Sequence, residues 1–203
     1  MSYLFYGGIH PESFKNLTSD GALKRVHIPK KVVLPLSQHT GGPAEPIIKI
    51  GDNVTVGQLI AKATGFVSSP IHATISGKVT RIHHSPTPTS PRGLSITIES
   101  QGDESQDFKA RERGNIESLS AEELLSIIRD SGIVGLGGAA FPTHVKLSPP
   151  KNKPIDAVIL NGAECEPYLT CDQRLMMDRP REILKGLDII LKILSVKLSL
   201  IHI

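Results

Sequence analysis

The sequence has no tryptophan, few aromatic residues (4%) and only two cysteines, Cys165 and Cys171. Two cysteines cannot form the disulfide framework of a small secreted protein, and the N-terminus shows no signal-peptide pattern, so we expect a reducing, cytoplasmic compartment. No apolar run approaches the roughly 18 residues that a membrane-spanning helix needs. Docking onto a membrane protein remains open.

Net charge is also small. The 23 Lys and Arg against 20 Asp and Glu leave a formal net charge of +3, and no basic run stands out. This balance argues against nucleic acid as a partner, although it leaves room for anionic ligands. With 203 residues, 39% hydrophobic and 21% charged, the chain has the make-up of a globular protein of one or two domains.

The first hundred residues predict an arm followed by a β unit. Residues 1–31 show no sustained hydrophobic periodicity and contain the turn-forming sequences Gly-Gly, His-Pro and Ser-Asp-Gly. They therefore predict an irregular N-terminal arm. In residues 32–100, called the β unit here, short β-type runs alternate with Gly- and Pro-rich turns, which predicts short strands. These runs are VVLPL, PIIKI, QLIAKA, SPIHA, GKVTRI and LSITIES. The polar residues 101–119 then predict a linker between domains.

Residues 120–203 have the pattern of an α/β domain. Ser120 and Glu123 form a capping box before an amphipathic helix, and Gly132 can close that helix in a left-handed conformation. The apolar run IDAVILN, residues 155–161, predicts a strand buried on both faces of a largely parallel sheet.

A second amphipathic helix is predicted from about Pro180, and the following VKLSLIHI alternates like another strand. Two strands with few crossovers cannot cover a doubly wound sheet, so we expect the sequence to be a truncated part of a longer protein.

The stretch GLGGAAFPTHVK, Gly135–Lys146, is called the glycine loop here. Gly135, Gly137 and Ala140 fit the G-x-G-x-x-G/A fingerprint, but that fingerprint follows a strand and opens a helix. Here a helix precedes the loop, and Pro142 stands where a phosphate-binding helix would have to run. Two interpretations stay open: a helix cap and turn without a ligand, or a loop whose main-chain N–H groups approach a phosphate.

Metal and acid–base chemistry is weakly indicated. Glu164 and Glu166 are more typical of solvated surface carboxylates than of a metal site. His10 and the pair His83–His84 lack a third ligand at zinc spacing. No Ser-His-Asp or Cys-His arrangement can be placed. The sequence therefore predicts no bound metal and no catalytic side chain.

Two segments, IKIGDNVTVGQLIAKATG and SPIHATISGKVTRI, resemble the two halves of the biotinyl/lipoyl barrel-sandwich fold. Carrier domains of this fold present a modifiable lysine at the hairpin tip between the halves. The corresponding stretch here, ATGFVSSP, contains no lysine. The resemblance therefore implies a barrel-sandwich hybrid that serves as a scaffold and not as a swinging arm.

Four motifs together resemble the RnfC family, the C subunits of the Rnf electron-transport complex: GGIHP, SPIHATISGKV, the glycine loop and NGAECEPYLTCDQRLM. The last two also resemble the flavin-bearing, NADH-oxidising subunit of respiratory complex I. The implied fold class is α+β or α/β with two domains, a barrel-sandwich hybrid followed by the start of a Rossmann-like FMN- and NADH-binding domain. The predicted domains are residues 32–100 and 120–203.

The resemblance implies roles for particular residues. Gly135, Gly137 and Gly138 would face the FMN phosphate, Lys146 would add a positive charge, and Phe141 would offer a flat face to a ring. Asn161 and Glu164 would bind flavin or ribose, and Glu166 would accept from NADH hydroxyls. Leu136 and Ala163 stand where the complex I subunit has arginine and aspartate.

The same resemblance implies the wider function. Full-length members carry cysteine motifs for two four-iron four-sulfur clusters, which Cys165 and Cys171 cannot supply. The chain would be a truncated, inactive electron-input part of an ion-translocating NAD(H):ferredoxin oxidoreductase, peripheral on the inner face of the cell membrane. Its partners would be NAD(H) and other Rnf subunits, including membrane subunits and an iron-sulfur subunit. The alternative is a non-catalytic scaffold with an incomplete nucleotide site.

Overall fold

The computed structural model describes residues 9, 11–24, 26–88, 90–102, 108 and 115–202. Contacts divide these residues into a first unit, within 26–154, and a second unit, within 1–25 and 155–203. By contacts, residues 120–154 group with the β unit; the predicted domain boundaries stay a prediction. The GGIHP motif and the predicted linker lie largely outside the described residues.

Among the described residues of the first unit, seven short strands build two antiparallel sheets; β-type runs in the sequence predicted short strands here, although none of the six runs covers β3. The larger sheet has the order β1-β7-β6-β3 and the smaller one β2-β4-β5. The strands are β1 (Lys31–Pro35), β2 (Glu45–Pro46), β3 (Asn53–Val54), β4 (Leu59–Lys62), β5 (Ile71–His72), β6 (Gly77–Thr87) and β7 (Ser90–Glu99).

The core of the β unit is aliphatic. Ile96 and Ile98 of β7 point to the same face and are fully buried, as is Val79, the partner of Ile98 on β6. The buried set is Leu34, Leu36, Ala44, Val54, Ile60, Ala61, Ile71, Ala73, Ile75, Val79, Ile96 and Ile98. This core fixes the loops that leave the strands, including those at residues 37–42 and 63–70.

The strands differ in length from the sequence pattern. The Pro-rich stretch between GKVTRI and LSITIES was expected to be a turn, but β6 continues to Thr87 and β7 begins at Ser90. The strand pairing shifts register between Ser85 and Thr87. Pro86 lies at this shift, where the strand can accommodate a residue without an N–H donor. Conversely, only Pro46 of the predicted PIIKI strand lies in a strand.

Helix α1 (Ala121–Asp130) confirms both predicted caps. The Glu123 amide donates to the Ser120 hydroxyl at 3.2 Å, and the Ser120 amide donates to the Glu123 carboxylate at 2.7 Å. Gly132 follows with φ of 70°, and a Cβ there would lie 2.6 Å from the Pro70 carbonyl oxygen. Glycine is therefore required where the chain leaves α1 and contacts the β unit. A short helix, α2 (Thr143–Lys146), comes next.

The second unit contains a parallel strand pair. Strand β8 (Ala157–Asn161) pairs with β9 (Leu198–His202), and the connection carries α3 (Cys171–Asp178) and α4 (Pro180–Leu194). The parallel pairing, α4 and β9 confirm the sequence pattern, whereas α3 was not predicted. Burial of β8 on both faces is wrong: Ile159 is 63% exposed, because this strand has one neighbour in the described part of the chain.

Candidate functional site

The glycine loop is closed at its base by main-chain hydrogen bonds. The Gly135 amide donates to the Phe141 carbonyl at 2.9 Å, and the Thr143 amide donates to the Ile133 carbonyl at 3.0 Å. Val134 and Pro142 form an isolated antiparallel bridge beside them. Pro142 is buried and immediately precedes α2. The residues between Gly135 and Phe141 therefore project from a fixed base.

The fold does not explain the glycines of this loop. Gly132 already ends α1, and none of Gly135, Gly137 and Gly138 has a positive φ. A Cβ at Gly137 or Gly138 would meet nothing within 4 Å. The chain could thus hold larger residues there without strain or overlap. Close approach of another group to the main chain is one physical reason for glycine at such positions.

The loop offers a row of hydrogen-bond donors. In the part of the chain that the structure describes, the amides of Leu136, Gly137, Gly138 and Ala139 have no hydrogen-bond partner. Successive N–H groups of this kind form a concave site for an anion. Lys146 adds charge, because its ammonium nitrogen lies 3.9 Å from the position that a Cβ of Gly135 would occupy. The arrangement fits a phosphate group.

Two hydrophobic residues flank these donors. Leu136 is fully exposed, in the position that the resemblance compares with an arginine. Phe141 is half-buried at the base of the loop, and its carbonyl oxygen accepts from Gly135.

The second predicted loop, residues 161–170, is called the acidic loop here, and Glu164 is its best-connected residue. The Glu164 carboxylate accepts from the Asp172 amide at 3.0 Å, the Gln173 amide at 3.1 Å and the Cys171 thiol at 3.2 Å. Glu164 therefore caps α3 from seven residues before its start, where a carboxylate also meets the positive end of the helix dipole.

This capping lowers the pKa of Glu164. Burial acts first and raises the pKa, but the hydrogen bonds from Asp172, Gln173 and Cys171, with the nearby charge of Lys15, outweigh it. The hydrogen bond that the Cys171 thiol donates to Glu164 raises the pKa of that thiol, because ionisation would remove the donated proton, and burial and the negative charge of Glu164 act in the same direction.

Glu164, Cys171 and Asp172 also bring three potential ligand atoms within 4.8 Å of one another. The Glu164 oxygens already accept hydrogen bonds, and the raised pKa of Cys171 keeps its sulfur protonated, which makes it a poor ligand. The cluster is accounted for as the start of α3.

A residue that the sequence did not single out shapes the acidic loop. The Lys15 ammonium donates to the carbonyl oxygens of Glu164, Glu166 and Leu169 at 2.8, 3.3 and 2.8 Å. Nothing in the N-terminal arm marks this lysine, because the carbonyls that it binds come about 150 positions later in the chain.

The arm makes further contacts with the same loop. The rings of Phe14 and Tyr168 stack with centroids 5.1 Å apart, and the Tyr168 amide donates to the Ser13 carbonyl at 2.8 Å. The Thr18 hydroxyl donates to the Tyr168 carbonyl at 2.7 Å. Tyr168 has a positive φ of 66°, a conformation that these contacts hold in place.

The other predicted residues of the acidic loop are Asn161 and Glu166. The Asn161 side-chain oxygen accepts from the Ala163 amide at 3.1 Å, which turns the chain at the carboxyl end of β8. Glu166 is exposed, and its carboxylate has no hydrogen-bond partner among the described residues. The glycine loop belongs to the first unit and the acidic loop to the second. A pocket shared by the two loops stays a prediction.

Among the helices of the described residues, none combines the length and the apolar character needed to cross a membrane.

Comparison with known proteins identifies both parts of the chain. Residues 3–103 match the RnfC barrel sandwich hybrid domain, and residues 128–203 match the Nuo51 FMN-binding domain. The predicted fold class, a barrel-sandwich hybrid followed by an FMN-binding domain with helices and strands, is confirmed by these matches.

Curated relatives of this chain are C subunits of ion-translocating oxidoreductase complexes. The chain is 45% identical over 199 residues to the C subunit of the proton-translocating ferredoxin:NAD(+) oxidoreductase complex of Clostridium ljungdahlii, covering 98% of this chain and 44% of the relative. It is 43% identical over 193 residues to the C subunit of the Na(+)-translocating ferredoxin:NAD(+) oxidoreductase complex of Acetobacterium woodii, covering 95% and 44%. The C subunit of the ion-translocating oxidoreductase complex of Rhodobacter capsulatus is 44% identical over 199 residues, covering 97% and 38%.

The chain thus spans less than half the length of these relatives. With both domain matches in the expected order and this level of identity along almost its whole length, the chain belongs to the RnfC family.

Proposed function

We propose that this chain supplies the FMN- and NADH-binding part of an electron-input subunit in an ion-translocating ferredoxin:NAD⁺ oxidoreductase. The observation that carries the proposal is the glycine loop, where neither backbone conformation nor packing requires Gly137 and Gly138. The four partnerless amides from Leu136 to Ala139 would hold the FMN phosphate, and Lys146 would add a positive charge.

The chemistry suits a site without catalytic side chains. FMN, when bound, would supply the hydride chemistry with NADH, so the residues of this chain need to supply orientation and electrostatics but no acid or base. Phe141 would offer a flat apolar surface to a ring. Asn161 would bind flavin or ribose, Glu166 would accept hydrogen bonds from NADH hydroxyls, and Glu164, while capping α3, would use its remaining lone pairs towards the same ligands.

The proposal extends to the assembled complex. The relatives are named as C subunits of oxidoreductase complexes, so we propose other Rnf subunits as partners, including membrane subunits and an iron-sulfur subunit. The chain would bind at the inner face of the cell membrane. The iron-sulfur clusters of full-length members would lie outside these 203 residues, whose two cysteines cannot hold one.

FMN titration of the purified chain tests the proposal directly. We expect saturable quenching of flavin fluorescence with one FMN per chain, weakly held because the chain covers under half of its relatives' length. Riboflavin, which lacks the phosphate, should bind much less well. Equal binding of FMN and riboflavin, or no binding of either, would contradict the proposal and favour the scaffold alternative.

A further inference from the structure

Thr40 of the β unit makes two hydrogen bonds to the glycine loop. The Thr40 hydroxyl donates to the Ala139 carbonyl, and the Thr40 amide donates to the Ala140 carbonyl at 3.3 Å. Thr40 lies in the loop that follows β1, about a hundred positions before the residues that it binds. All of these residues belong to the first unit.

The bonded residues are the strained part of the glycine loop. Ala140 has a positive φ of 44°, which a residue with a Cβ adopts at a cost. Its amide donates to the Gly137 carbonyl at 3.0 Å and so closes a turn over Gly138 and Ala139. The two bonds from Thr40 engage the carbonyls of Ala139 and Ala140, and the amides of Gly138 and Ala139 have no hydrogen-bond partner among the described residues.

Thr40 is itself held by a buried network. His39 is 8% exposed, and its Nε2 accepts from the Ser69 amide at 3.0 Å. The buried Ser68 hydroxyl donates to the Gly42 carbonyl at 2.8 Å. These bonds tie the loop at 37–42 to the loop at 63–70, the stretch that carries the lysine in carrier domains. Thr40 therefore projects from a rigid support.

The loop at 63–70 also contacts the far end of the glycine loop. His144 of α2 is buried, and its Nε2 donates to the Phe66 carbonyl at 2.9 Å, which requires the proton on that nitrogen. The Phe66 and His144 rings meet edge to face at 5.8 Å. The glycine loop is thus bonded to the β unit on both sides of its exposed glycines.

A groove of about 810 Å³ lies where the two loops meet. Gly138, Ala139 and Ala140 line one side, and the β unit lines the other with Thr40 and an apolar surface of Val33, Pro35, Pro86 and Pro88. Its volume suits a small-molecule ligand. If the glycine-loop amides bind the phosphate of a ligand, the rest of that ligand would lie beside this apolar surface.

We propose that the β unit contributes to the flavin site and that Thr40 is the residue through which it positions the glycine loop. Thr40 sets the turn over Gly138 and Ala139 so that their amides face the FMN phosphate, and the loop that carries a cofactor in other barrel-sandwich domains here supports a cofactor-binding loop. The inference rests on the proposed FMN function.

Substitution of Thr40 tests this in the 203-residue chain. Thr40→Val removes the hydroxyl donor at similar volume, and Thr40→Ser restores it. We expect the FMN dissociation constant to rise roughly fivefold in Thr40→Val, the effect of one lost hydrogen bond, and to stay near wild type in Thr40→Ser. Ser118→Ala is the control, because the Ser118 hydroxyl of the same unit also donates to a carbonyl, that of Asn115, in the segment before α1.

Amide hydrogen exchange without FMN gives an independent measurement. The Thr40 and Ala140 amides should exchange several-fold faster in Thr40→Val and at the wild-type rate in Ser118→Ala and Thr40→Ser. Unchanged exchange in Thr40→Val would overturn the proposal whether or not FMN binds, and so would faster exchange with unchanged FMN affinity. If the wild-type chain takes up no FMN, the proposed function fails, and exchange alone still decides whether Thr40 holds the turn.

Discussion

The Lys15 ammonium lies 2.8 Å from the carbonyl oxygen of Glu164, although 149 positions separate the two residues in the sequence. The same ammonium binds the carbonyls of Glu166 and Leu169, so one lysine fills the concave side of the acidic loop. The carboxylate of Glu164 is used separately, to cap α3. The loop is thus fixed from both sides before any ligand binds.

Replacing Lys15 by methionine should destabilise the acidic loop. The methionine keeps an apolar stem but leaves three carbonyls without their donor, and hydrogen bonds to charged groups contribute roughly 1.5–3 kcal/mol each when buried, less at this partly exposed site. We expect the free energy of unfolding in urea to fall by about 1–3 kcal/mol. Lys24→Met, an exposed lysine of the same arm with no hydrogen bond in the described structure, is the control. Equal losses in both variants would contradict a specific role for Lys15.

Gly137→Val should abolish FMN binding without harming the fold. A Cβ at Gly137 meets nothing within 4 Å of the chain, so the melting temperature should stay near that of the wild type. The side chain would occupy the space that the phosphate needs, and flavin titration should show no saturation. Gly186→Val places the same side chain at another position where a Cβ meets nothing within 4 Å, in α4 of the second unit, and should leave FMN affinity unchanged. Normal FMN binding by Gly137→Val would mean that the glycine loop is only a turn.

Lys146→Ala should weaken FMN binding without abolishing it. One charge-assisted contact contributes roughly 1.5–3 kcal/mol, which corresponds to a ten- to hundredfold rise in the dissociation constant. The difference from wild type should shrink at high salt, where the charge is screened. Lys151→Ala changes an exposed lysine beyond α2 and serves as the comparison. An unchanged dissociation constant in Lys146→Ala would remove this residue from the site.

Glu164→Gln should alter how stability depends on pH. The folded state lowers the pKa of Glu164 below its ordinary value of 4.5, so the ionised carboxylate stabilises the fold above that pH. This contribution disappears as the pH falls through the lowered pKa. The difference in unfolding free energy between wild type and Glu164→Gln should therefore be largest near neutral pH and vanish in acid.

Urea unfolding at several pH values measures that difference. Glu166→Gln is the matched control, since this carboxylate has no hydrogen-bond partner among the described residues. A difference that is the same at pH 7 and in strong acid would show that Glu164 acts through packing and not through its charge.

Local signals in the sequence were sufficient for α1. Its capping box needs only Ser120 and Glu123, three positions apart, and its end needs only a glycine at position 132. Strand β9 and helix α4 were also predicted from residues within each element. Elements that carry their own boundary signals could therefore be located without tertiary information.

Helix α3 could not be found in this way. Its N-terminal amides bind the Glu164 carboxylate, which lies outside the helix, and the preceding Thr170 side chain makes no capping bond. Lys15 and Thr40 escaped notice for a similar reason, because their partners are main-chain carbonyls far along the sequence. Every residue has a main-chain carbonyl whatever its side chain is, so a sequence pattern cannot identify which carbonyl a distant side chain will bind.

The larger sheet of the β unit pairs its first strand with its last, since Lys31 of β1 lies opposite Glu99 of β7. The β6–β7 hairpin joins neighbouring residues and can form early, whereas β1 must wait for β7 to become available. During synthesis from the N-terminus, β1 therefore leaves the ribosome long before its partner exists. Its edge therefore stays open to wrong pairing while the residues up to β7 are being translated.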